Sequence, residues 1–86
     1  MNLVIVYHPQ SDHATTAETY VKDFARRTQK NIKLLSLETK EGAEMASLYD
    51  VVSYPAILAL REDNQLLKLW QGLPFPVMDE LMAYSY

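Results

Sequence analysis

His8, Ser11, Asp12 and His13 place a hydroxyl, a carboxylate and two imidazoles in one short stretch. Those are the residue types of a Ser-His-Asp triad and, in part, of a zinc site. A triad needs its members to converge in space, and neighbouring positions at a helix start point apart. The segment offers no thiolate and few further carboxylates to close a metal shell. The histidines therefore read as surface residues, and no metal is expected. Ser11 or Asp12 reads as a helix cap, because a short side-chain oxygen accepts from a free N–H of the first turn. With no cysteine anywhere in the chain, disulfides, thiolate metal ligation and thiol catalysis are excluded.

These side chains need elements to position them. Leu3 to Tyr7 is a nearly continuous apolar run, as in a strand covered on both faces. His8-Pro9-Gln10-Ser11 ends it. From about Asp12 to Thr28, Ala14, Ala17, Val21, Phe24, Ala25 and Thr28 recur at helical spacing. Ile32 to Leu37 has strand length. Glu38 to Gly42 reads as a polar connection, and Ala43 to Tyr49 as a short helix burying Met45, Ala46, Leu48 and Tyr49. Asp50 to Pro55 approaches a third strand, Ala56 to Arg61. Glu62-Asp63-Asn64-Gln65 is a polar turn before a fourth, Leu66 to Trp70, which makes an antiparallel hairpin. Pro76 suits the first position of a last helix, with Val77, Met78, Leu81, Met82 and Ala83 as its apolar stripe.

The order is β-α-β-α-β-β-α. A right-handed crossover makes the first two strands parallel neighbours. The expectation is an α/β fold, a four-stranded mixed sheet with helices on both faces. At 86 residues it is one small domain, 1–86.

The net charge of −3 argues against a nucleic-acid partner, which calls for a basic excess. No apolar run is long enough to span a membrane. The first residues lack a basic leader and cleavage site, so a cytoplasmic location is the default expectation. Lys22, Arg26, Arg27, Lys30 and Lys33 read as a solvated basic face of the first helix, without the interleaved aromatics that single-stranded nucleic acid calls for. Trp70, Phe75, Met78 and Met82 read as packing residues. Tyr84 and Tyr86 stand at a chain end where burial is hard, so a homodimer contact through that end is a second interface expectation.

With the elements in place, the chain resembles the thioredoxin family, as a minimal thioredoxin or glutaredoxin core. Val6-Tyr7-His8-Pro9-Gln10-Ser11-Asp12-His13-Ala14 is similar to the strand, loop and CxxC helix start. Leu48-Tyr49-Asp50-Val51-Val52-Ser53-Tyr54-Pro55-Ala56-Ile57-Leu58 resembles the Tyr-x-Val-x-x-x-Pro-Thr stretch, and Gly72 with Leu81 the residues after the hairpin. The likeness covers nearly the whole chain. Ser11 and Ala14 then stand at the two cysteine positions, and Ile5 where thioredoxins often bury an acid. Thiol–disulfide exchange needs a thiolate nucleophile and a resolving thiol, so that chemistry does not carry over.

The resemblance implies a cis Tyr54–Pro55 bond and a substrate strand paired to the Tyr54 main chain. The expected binding residues are Tyr7, Ser11, Asp12, Tyr54, Pro55 and Leu73, with Pro9 and Phe75 as further apolar contacts. The favoured function is a redox-inactive module that binds a protein or extended peptide and needs no cofactor. Two alternatives remain: a glutathione- or thiol-binding enzyme of glutaredoxin or glutathione-transferase type using Ser11, and a structural docking subunit.

Overall fold

A computed structural model describes residues 2–84. The elements follow in the order β1 (Asn2–Tyr7), α1 (Ala14–Thr28), β2 (Lys33–Ser36), α2 (Lys40–Leu48), β3 (Ala56–Leu60), β4 (Leu66–Gln71) and α3 (Met78–Met82). They build a four-stranded sheet in the order β2-β1-β3-β4. β1 and β2 are parallel, as the crossover through α1 requires. β1–β3 and β3–β4 are antiparallel, with one irregularity between Ala59 and Leu60.

Apolar residues on both faces of the central strands divide the core in two. Leu3, Ile5, Ile57 and Ala59 face Ala17, Phe24 and Leu81, while Val4, Val6, Leu58 and Leu60 face Ala46 and Val51. Period-two alternation sends neighbouring residues of one strand to opposite layers. Every residue of β3 is buried, which explains its unbroken apolar run.

Several boundaries differ from the sequence expectation. α1 starts at Ala14, with His13 at its N-cap position and no side-chain cap. Neither Ser11 nor Asp12 caps it, because two turns separate β1 from the helix. Ser11 N–H donates to the His8 carbonyl and Ala14 N–H to the Ser11 carbonyl, each at 3.2 Å. Pro9 occupies the second position of the first turn, which its fixed φ favours.

α2 begins earlier than expected, at Lys40, so Glu38 to Gly42 is not all connection. The Thr39 hydroxyl accepts from Gly42 N–H at 3.1 Å, a cap contributing about 1 kcal/mol. Leu48 is 72% exposed and lies off the buried side assigned to it. Pro76 does not start α3. Val77 is its N-cap, and the Pro76 carbonyl instead accepts from the Tyr20 hydroxyl at 2.9 Å. Of the expected stripe, Leu81 is buried and Met78 packs on the core, while Val77, Met82 and Ala83 are exposed. Five residues give one helical turn and a fraction, too short for a continuous face.

Lys33 lies on β2 rather than α1, and its ammonium meets Glu41 of α2 at 2.6 Å. On α1 itself Arg26 pairs with Asp23. Tyr84 is partly buried, with its ring edge-on to Trp70 at 5.4 Å. Tyr86 falls outside the described residues. Among those residues, no helix is long and apolar enough to cross a membrane.

Candidate binding edge

Three chain segments meet at the end of the sheet where β1 and β4 finish and β3 begins. The β3–β4 ladder extends one pair beyond the strands, because Gly72 N–H donates to the Pro55 carbonyl at 2.9 Å. This bond sets Leu73 next to the Tyr54–Pro55 pair and leaves it 52% exposed. Pro55 itself is fully buried. The Tyr54–Pro55 peptide is cis, and so is Leu73–Pro74, which the sequence did not announce.

Gln71 organises the approach to Tyr54. Its side-chain Oε1 accepts from Val52 N–H at 2.8 Å and from Ser53 N–H at 3.2 Å. The Tyr54 hydroxyl turns back to the Val51 carbonyl at 3.1 Å. These contacts occupy the amides before Tyr54 and pin its side chain. The Tyr54 main-chain N–H and C=O have no hydrogen-bond partner among the described residues. Val52, 78% exposed, stands beside them. An unpaired N–H and C=O at a sheet boundary offer a template for another strand.

The loop after β1 forms the neighbouring wall. The Ser11 hydroxyl donates to the His8 carbonyl at 2.6 Å, so it reinforces the first turn and does not point at the amides of α1. His8 N–H donates to His13 Nε2 at 3.1 Å. The two rings lie 6.0 Å apart, and the His8 ring packs edge-on to Tyr54 at 5.0 Å. Partial burial makes His13 less basic than its ordinary value, and the neighbouring His8 adds to this; Asp12 pulls the other way. Asp12 is exposed.

Tyr54, Pro55 and Leu73 are thus brought together, with the His8 ring beside them. Tyr7 and Phe75 pack into the layer beneath α1, whereas Tyr54 packs into the layer beneath α2. Phase along β1 explains Tyr7, which shares a face with Leu3 and Ile5. Phe75 stacks obliquely on Tyr20 at 4.7 Å. Burial there, with a smaller effect of Glu80, raises the Tyr20 phenol to about 12.

The sequence groups His8 and His13 in one short stretch and reads both as surface residues, with no bond between them. The structure joins them, because the turn through Pro9 folds the chain back. Gln71 was not singled out either. Its signal was a long amide at the end of an edge strand, which is weak alone. Among the described residues, no three His, Asp or Glu side chains group closely enough to hold a metal ion.

This strand order, with its parallel crossover and its proline edge beside the first helix, is the thioredoxin fold. Thioredoxin 1 from Thermosipho africanus superposes with a TM-score of 0.72 over 99% of this chain and 94% of its own, at 12% identity. The germline-specific thioredoxin Deadhead of Drosophila melanogaster gives 0.67 over 94% of this chain and 73% of its own, at 23% identity. A designed protein gives 0.65 over 98% and 71%, at 16% identity. At such identities the likeness defines the fold alone. No family model matches the sequence, and no curated protein matches it.

Proposed function

We propose that this thioredoxin-fold chain binds an extended protein segment by strand addition at Tyr54 and carries out no thiol–disulfide exchange. The observation that carries the reading is the unpaired Tyr54 main chain, flanked by exposed Val52 and Leu73. Main-chain pairing supplies affinity without sequence preference, and the two apolar side chains favour a guest with apolar residues in alternation. The chain itself has no cysteine to form a mixed disulfide. The Ser11 hydroxyl already donates to His8, which favours binding over a thiol-handling enzyme.

Selection from a random peptide display library tests the proposal. Retained peptides should shift the amide NMR signals of Val52 to Tyr54, Gly72 and Leu73. N-methylation of the peptide residue that pairs with Tyr54 should abolish binding. Retention of no peptide, or shifts confined to the outer face of α1, would refute it. Glutathione should leave the Ser11 to His13 and Tyr54 signals unmoved; shifts there would favour the thiol-binding enzyme instead.

A further inference from the structure

The bond from His8 N–H to His13 Nε2 has a chemical requirement. Nε2 accepts only through a free lone pair, so His13 must be neutral with its proton on Nδ1. Protonation fills that lone pair and turns the acceptor into a donor facing another donor. It also places a cation 6.0 Å from the His8 ring. That ring touches Tyr54, whose main chain is the proposed docking template.

We infer that His13 is a proton-operated latch on the docking edge. Neutral, it holds the His8 amide and keeps the His8 ring against Tyr54. Protonated, it releases both. The consequence for guest binding rests on the proposed docking function; the latch itself does not.

The groups facing the latch are few. His8, from the end of β1, opposes the cation. Asp12, from the same loop, favours it. Tyr54, from the approach to β3, meets the His8 ring in an edge-to-face contact. The turn survives release, because the Ser11 amide and hydroxyl both still hold the His8 carbonyl. The movement is therefore confined to the His8 amide, its ring and the Tyr54 surface.

The sign follows from the lowered basicity of His13. Its contribution to stability is fully present above its ordinary value of 6.5 and is lost as pH falls from there through the folded-state value. The switch thus works in mildly acid conditions, where histidine alone among unperturbed side chains changes charge.

Imidazole nitrogen NMR tests the latch without any guest. At about pH 8 the His13 ring should carry its proton on Nδ1, the less common tautomer in free histidine. His8→Phe removes the second imidazole and keeps the main-chain donor. In that protein, the amide at position 8 and the Tyr54 signals should move with the His13 titration between about pH 8 and about pH 5. Adding His13→Gln, whose side-chain carbonyl accepts at every pH, should abolish that movement. An Nε2-protonated His13 at neutral pH, or a His13 that titrates while position 8 and Tyr54 stay still, would overturn the latch.

A library peptide retained at neutral pH should bind the native protein about five-fold or more weakly near pH 5, and His13→Gln should flatten that dependence. Latch signals without any peptide binding would uphold the latch and sink the docking role. Binding that ignores pH, with the latch signals absent, would do the reverse.

Discussion

Phe24→Ala should leave the protein about 3–5 kcal/mol less stable in urea unfolding, the range for emptying a fully buried aromatic site. Phe24 is 0% exposed, packed under α1 against the sheet. The loss combines the transfer energy of the ring with the cavity it leaves. Ile5 and Ile57 of the sheet and Leu81 of α3 share this layer, and strands fixed on both sides cannot collapse into the space. An 86-residue domain has a total stability of about 4–13 kcal/mol at ~0.05–0.15 kcal/mol per residue. The loss is therefore a large share of the whole, read as a lowered urea midpoint. Leu48→Ala is the contrast. Leu48 matches the apolar periodicity of α2 but is 72% exposed, so its loss should stay within about 0.5 kcal/mol. Equal losses at the two positions would contradict the two-layer core described above.

Gly42→Ala should destabilise the protein by about 1–3 kcal/mol or more, the usual range for overpacking. Helix propensity alone argues for the opposite sign, a gain of about 1 kcal/mol from replacing an interior glycine by alanine. Sterics decide. A Cβ at position 42 would sit 2.1 Å from the Ser36 carbonyl oxygen and 2.8 Å from its carbon. Both are main-chain atoms at the end of β2, so no side chain can swing away, and α2 must lift from the sheet. Alanine at Gly72 acts differently. There φ is +76° and the added Cβ would meet nothing within 4 Å, so the penalty is conformational, about 1–2 kcal/mol. Thermal unfolding of the Gly42 variant gives the sign directly. A raised midpoint would mean that α2 does not approach β2 as closely as described.

Gly42 also marks the limit of what the chain discloses as text. The runs Leu3–Tyr7 and Ala56–Leu60 state their strand identity because both of their faces are covered, and the polar stretch around Asn64 states the hairpin. Those features rest on local pattern, and from them the element order and the parallel first crossover follow. Gly42 reads as a loop residue because its real reason, a close approach to Ser36, lies in tertiary space. Leu48 reads as buried because periodicity does not record that α2 ends there, short of further cover. The Ser11 cap failed for a related reason. The type of residue suits a cap, but the turn through Pro9 captures the hydroxyl first. At the proposed docking edge, Tyr54, Pro55 and Leu73 were legible through a family resemblance. Gln71, which prepares the main chain before Tyr54, and the His8–His13 bond depend on contacts across loops that no spacing rule encodes.

The most direct test of the docking account is amide hydrogen exchange at Tyr54. In the free protein its N–H should exchange quickly, as an unpaired amide does, while the amides of Ala56 to Leu60 exchange slowly within the ladder. A bound peptide should slow Tyr54 selectively, bringing its protection toward that of β3. A Tyr54 amide already protected without a guest, or one that exchanges at the same rate with a guest bound, would contradict the account.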